Sequence, residues 1–234
     1  MCISYETSIF SFLVGAGFSI LNLIKYRNIP IFVAISLFWF FVIFMQLWDA
    51  LLWKNIIPKI ASKLAMIFNI LQPVIVFLVL VPLFLKSNAS YKNIKLIILG
   101  IIFFIYATYM GGHLKWDYGK LTTNRGIEYK WWTDFKNNQY NYGGIIYIIT
   151  TILTFYMLIN NLLLKWSQIL LFYLSLATAY WSNYFPNGNP GSIWCFFAAF
   201  VPSVNYFIFD YLKNKPGTNT DDLINKKESN STTN

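Results

Sequence analysis

Asp49 is an acid in an otherwise uncharged run. It is the only one in the apolar stretch after Pro30, about one turn before that stretch ends at Trp53 and Lys54. A carboxylate in hydrocarbon costs about 2.5–3.5 kcal/mol on insertion scales, so it demands water or a polar partner. Gln46 stands three residues before it and Trp53 four after, which places all three on one helix face. Turned into a helix bundle, that face offers a site for a proton or a cation. The competing reading puts Asp49 at the membrane interface, where it reaches water or a lysine.

Other residues add to this set. Asn69 and Gln72 share a face just before Pro73. Proline frees a backbone carbonyl that such side chains can satisfy, and the same side chains can bond between helices. His113 is the single histidine and follows Gly111-Gly112. It can titrate near neutral pH, but one histidine excludes multi-histidine metal centres. Cys2 becomes the terminal residue if the initiator Met is removed, and Cys195 opens the last apolar run. A disulfide between these two is open to a chain whose N-terminal side is luminal. With no CxxC pair, spacing supplies no metal site, and no cofactor motif is present.

The elements that position these residues follow from hydropathy. The 234 residues are 57% hydrophobic, 20% aromatic and 12% charged. Soluble domains carry about a quarter charged residues, so this chain has too little polar surface to coat a globule in water. Crossing a bilayer takes about 20 apolar residues. Seven segments qualify: Ser8–Ile24, Pro30–Trp53, Ile60–Leu85, Ile94–Met110, Gly144–Leu164, Trp166–Tyr184 and Ser192–Tyr211. The expected fold is an all-α membrane protein, a bundle of about seven transmembrane helices occupying 1–212. Lys165 and its neighbours would make a tight hairpin between the fifth and sixth spans. Residues 111–143 form a long surface loop with a β-hairpin around Asn124-Arg125-Gly126. Residues 213–234 read as a disordered polar tail. Without a basic n-region or cleavage site, the first run is expected to remain as a span.

The net charge of +9 comes from lysines and arginines at span ends rather than in one stripe. This fits membrane flanks and not a nucleic-acid partner. Seven spans put the termini on opposite sides; side A denotes the N-terminal one. Every side B connection carries a basic residue and two side A segments carry none, so the N-terminus is expected outside or luminal and the C-terminus cytosolic. On this layout Cys2, Gln46, Asp49, His113 and Cys195 fall at or near side A, with Asn69 and Gln72 in the same half. A pocket, if present, opens on side A. Ser11, Gly15 and Ser19 make a small-residue stripe that permits close packing, within the bundle or between protomers of a homo-oligomer.

The opening Met1-Cys2-Ile3-Ser4, together with Gln46, Asp49 and Trp53, resembles a family of uncharacterised multi-span membrane proteins of bacteria and large DNA viruses. Its members begin Met-Cys-aromatic-Ser and carry Gln-x-x-acid-x-x-x-Trp in the second span. Ile3 departs from the aromatic, and Asp49 stands where the family usually has Glu. The resemblance implies a polytopic bundle with Cys2, Gln46 and Asp49 as family-like residues, and implies no activity. A retinal lysine, Asp-Arg-Tyr, Asn-Pro-x-x-Tyr and paired intramembrane aspartates are all missing from the relevant spans. Three functional classes stay open. One is a channel- or transporter-like or small-ligand-binding bundle around Asp49. Another is an enzyme acting on a lipid or small substrate through Cys2, Asp49 or His113. The third is a structural membrane protein without a site.

Overall fold

A computed structural model describes residues 4–87, 91–113, 120–123, 126–129, 142–181 and 190–215. Among them the chain forms seven helices: α1 (Tyr5–Lys25), α2 (Pro30–Trp53), α3 (Pro58–Lys86), α4 (Lys92–His113), α5 (Tyr142–Leu158), α6 (Leu162–Trp181) and α7 (Pro190–Asn214). A small hairpin, β1 (Lys120–Thr123) and β2 (Gly126–Tyr129), lies between α4 and α5. Its antiparallel register pairs Lys120 with Tyr129 and Thr123 with Gly126, as the alternation around residues 124–126 anticipates.

Local chemistry accounts for the helix ends. Ser4 caps α1, its Oγ accepting from the Thr7 N–H at 3.1 Å. Glu6 in the first turn and Lys25 in the last both suit the helix dipole. Pro30 opens α2 and Pro58 opens α3, both positions where a missing N–H is harmless.

α2 is the axis of the bundle. Its apolar residues are distributed all round rather than on one stripe, the pattern of a core or membrane-spanning helix, and the strip of Val33, Leu37, Phe40, Phe44 and Leu47 is left partly open. Phe32, Ile35, Phe38, Trp39, Ile43 and Leu52 are all buried. α1, α3 and α7 pack directly on it. Phe38 meets Phe155 of α5 at a ring distance of 5.4 Å, and Trp39 reaches α6. α4 stands outside this ring, packed chiefly on α5.

The outer surface is apolar. Leu13, Phe104, Leu162 and Phe207 are each more than 60% exposed. In water such a surface would be a severe liability; in lipid it is the natural exterior. α1 to α4 are each long and apolar enough to cross a membrane, and α5 and α6 contain shorter apolar stretches. The chain is an all-α helical bundle whose apolar exterior and long apolar helices suit an integral membrane protein.

The helix boundaries differ from the hydropathy reading in two places. The turn between α5 and α6 falls at Ile159–Asn161, not at Lys165. Asn161 is the reason: its side-chain oxygen accepts from the Leu164 N–H at 2.9 Å, capping α6. Hydropathy ran through this turn because apolar residues flank it on both sides. α4 likewise runs through Gly111-Gly112 to His113. Glycine weakens a helix by about 1 kcal/mol but stops it only in a left-handed cap. α7 ends at Asn214, and the expected tail lies outside the described residues from 216 on.

At Gly15 α1 comes close to both α2 and α7. A Cβ there would lie 2.5 Å from Ile43 Cδ1 and 2.8 Å from the Ala199 carbonyl oxygen. Ser11 and Ser19, on the same stripe, are fully buried. The Ser11/Gly15/Ser19 face therefore packs within the chain, against α2 and α7. Gly15→Ala is expected to destabilise by about 1–3 kcal/mol, because an added methyl overpacks a filled site. The readout is Tm of detergent-solubilised protein. Gly17→Ala is the control: with nothing within 4 Å of the added carbon, it should leave Tm unchanged or raise it slightly. Equal losses in the two variants would refute the close approach.

Candidate functional site: a buried carboxylate on the central helix

Asp49 is fully buried and Gln46 is 2% exposed. Neighbouring helices enclose Asp49. Trp53, one turn further on, is half-buried.

Three contacts set the register of α1 against α2. Gly15 meets Ile43. The Phe12 and Phe44 rings lie 5.8 Å apart, and the Lys54 ammonium sits 4.5 Å from the Tyr5 ring centroid. The two helices are thus antiparallel, with Ser11 level with Gln46 and Ser8 level with Asp49. Both serines are fully buried. Ser8 is spent locally, its hydroxyl donating to the Ser4 carbonyl at 2.8 Å.

α3 closes the other flank of Asp49. Met45 and Leu52 share a helix face with Asp49 at spacings of four and three residues. They cluster with Ala61, Ala65 and Met66 of α3. Ser62 lies within this stretch, fully buried, and its Oγ has no hydrogen-bond partner. The small side chains at 61, 62 and 65 let α3 approach closely. At the level of Asp49, buried hydroxyl groups therefore come from α1 and α3, and a carboxamide from α2 itself.

Of the remaining sequence candidates, Gln72 is fully buried but belongs to a different contact. Its Oε1 accepts a short hydrogen bond from the Tyr147 hydroxyl of α5, while its Nε2 has no partner. Asn69 is half-buried. Pro73 lacks the N–H that would bond the Asn69 carbonyl; the next carbonyl, that of Ile70, accepts from the Tyr106 hydroxyl of α4 at 2.6 Å. Gln72 bonds between α3 and α5. His113 ends α4. Cys2 lies outside the described residues, and Cys195 lies in the first turns of α7. Among the described residues no cluster of His, Cys, Asp or Glu could hold a metal.

A second polar cluster escaped the sequence reading. Trp39 Nε1 donates to Gln168 Oε1 at 2.9 Å, and Gln168 Nε2 donates to Asn205 Oδ1 at 2.8 Å. All three residues are buried, and they tie α2 to α6 and α7. Gln168 and Asn205 are isolated polar residues in apolar runs, the same signal that drew attention to Asp49. The geometry is that of a structural cross-brace, with each strong donor matched to an acceptor.

At the opposite end of the bundle, Lys25 pairs with Asp210 at 2.9 Å and donates to the Tyr206 hydroxyl at 2.8 Å. The Tyr26 hydroxyl donates to the Tyr206 carbonyl at 3.0 Å and reaches Asp210 at 3.3 Å. This cluster clasps the α1–α2 turn to α7. The ion pair joins residues 185 positions apart, and Lys213, one turn from Asp210 on α7, adds to the positive charge near its carboxylate.

No protein-family model, curated protein or solved structure matches the chain.

Gln168→Leu should lower stability by about 1–3 kcal/mol, because it strands the Trp39 N–H and the Asn205 amide in the interior. The Gln168→Leu/Asn205→Leu double variant should lose less than the sum of the two single changes. A four-member thermal-melting cycle measures this. Strict additivity would show that the two side chains are not coupled.

Proposed function

We propose that this protein is a multi-pass membrane bundle that handles a proton or small cation at Asp49, in the manner of a channel or transporter. The observation that carries the reading is a fully buried carboxylate on the central helix, with buried polar side chains level with it on both flanking helices. Proteins rarely keep an ionisable group at such a depth, and where they do, it marks an ion or proton pathway. The likeness of Gln46, Asp49 and Trp53 to the second-span motif of the polytopic family supports the same centre.

In this reading all seven helices are spans. The Ser4 end of α1 faces outside or the lumen and the C-terminus faces the cytosol, which follows the distribution of basic residues. Chemically, Asp49 can take up and release a proton or neutralise a cation, and Gln46 and Ser62 can supply amide and hydroxyl oxygens to the same ion. Solvent at the side A end would exchange with the carboxylate.

Purified protein in liposomes tests this directly through proton and alkali-cation flux. Wild type should conduct and Asp49→Asn should abolish flux while keeping the melting transition. Flux in neither protein, or equal flux in both, removes Asp49 from any conduction path. Orientation is tested separately: a glycan added at Asn230 in a eukaryotic expression host would place the C-terminus in the lumen and overturn the assignment.

A further inference from the structure

One stripe of α1 carries Ser8, Ser11, Gly15, Ser19 and Asn22, spaced three or four residues apart, and all but Gly15 are polar. From Ser8 to Tyr26 the stripe rises about 27 Å at 1.5 Å per residue, close to the thickness of a hydrocarbon core. It begins level with Asp49 and ends at the Tyr26–Asp210 cluster. Every one of these polar residues is fully buried, between α1, α2 and α7.

The stripe is not fully satisfied. Ser11 Oγ, Ser19 Oγ and Asn22 Oδ1 have no hydrogen-bond partner, although Asn22 Nδ2 donates to the Pro202 carbonyl at 2.9 Å. An orphaned buried polar atom costs about 1–3 kcal/mol. Interiors relieve that cost with ordered water bridging two to four polar groups. Helix-packing small residues alone would not call for water; three orphaned oxygens on one line do.

The stripe is also divided. At Gly15, α1 closes on Ile43 and on the α7 backbone, and even a methyl does not fit. An apolar constriction of this kind holds a path closed by excluding water. Ser11 and Gln46 lie on the Asp49 side of it. Ser19 and Asn22 lie on the Asp210 side.

We infer that the α1–α2–α7 interface is a water-bearing path with two polar halves, one reaching Asp49 and one reaching Asp210, and that Ile43 against Gly15 is the plug between them. This rests on the proposed conduction role and names its route and its gate. Water is the ligand of each half, held by serine hydroxyls and the Asn22 carboxamide oxygen.

The test is thiol accessibility in liposomes, with Cys2 and Cys195 replaced by Ser. Ser11→Cys and Ser19→Cys are near-isosteric probes. A thiol needs water to become the reactive thiolate, so both should react with a charged, membrane-impermeant thiosulfonate at least about tenfold faster than Leu13→Cys on the lipid-facing side. Ser11→Cys should react from the side A face only and Ser19→Cys from the opposite face only. Adding Ile43→Ala should open each probe to both faces. If Ser11→Cys and Ser19→Cys react no faster than Leu13→Cys, the interface is dry and the inference falls. If Ile43→Ala leaves the sidedness unchanged, the plug is wrong. These readouts are independent of flux. Accessible, sided thiols in a protein that conducts nothing would uphold the hydrated path and overturn only the conduction role.

Discussion

α2 is apolar all round and the most enclosed of the four long apolar helices, with the strip of Val33, Leu37, Phe40, Phe44 and Leu47 left partly open. Its burial requires neighbours on the other flanks, and five helices supply them: α1, α3 and α7 directly, α5 through Phe155 and α6 through Gln168. In lipid this enclosure cannot come from the hydrophobic effect, since acyl chains are as apolar as leucine. It has to come from shape and from polar contacts. Shape acts where side chains are smallest, at Gly15 against Ile43 and at Ala61 and Ala65 against Met45 and Leu52. Polar contacts act in the Trp39–Gln168–Asn205 brace. The placement of Asp49 is a consequence: it lies on the enclosed flank of α2, away from the strip of Leu37, Phe40 and Phe44.

The polar brace and the carboxylate are different kinds of buried polarity. Gln168 exchanges strong hydrogen bonds with Trp39 and Asn205, and so fixes one arrangement of three helices. Matched donors and acceptors rigidify a core. Asp49 carries a titratable group, and a titratable group in a low-dielectric interior changes its surroundings whenever it gains or loses a proton. The brace lies at the middle of α2 and the carboxylate near its end, so the two kinds of buried polarity are separated along the helix.

Much of the fold was legible because hydropathy is a direct record of lipid contact. α2 was bounded at both ends by Pro30 and Trp53, and the β-hairpin by its alternation around 124–126. The α5–α6 turn was not legible, because Asn161 acts through one capping hydrogen bond inside an apolar run that hydropathy averages away. For the site, the face shared by Gln46 and Asp49 could be read from spacing within one helix. Their neighbours Ser8 and Ser62 could not, because register between helices is set by contacts such as Gly15 against Ile43, and by the ring of Phe68 on α3 against Phe41 and Trp48 of α2, whose partners lie far away in sequence. For the same reason the Lys25 partner of Asp210, 185 positions away, was out of reach.

The three acids of the described helices show why Asp49 is singled out by its setting and not by its type. Glu6 is exposed in the first turn of α1, where the helix dipole favours a carboxylate. Asp210 sits beside the Lys25 ammonium and within reach of the Tyr26 hydroxyl, so its charge is neutralised in place, and it remains 41% exposed. Asp49 has neither an end-of-helix dipole position nor exposure to water. Buried hydroxyl side chains of α1 and α3 and small apolar residues of α3 stand level with it. Lys54, at the same end of the bundle, lies against the Tyr5 ring. Asp49 is thus set apart from Glu6 and Asp210 by enclosure between helices, a property of the packing and not of the side chain itself.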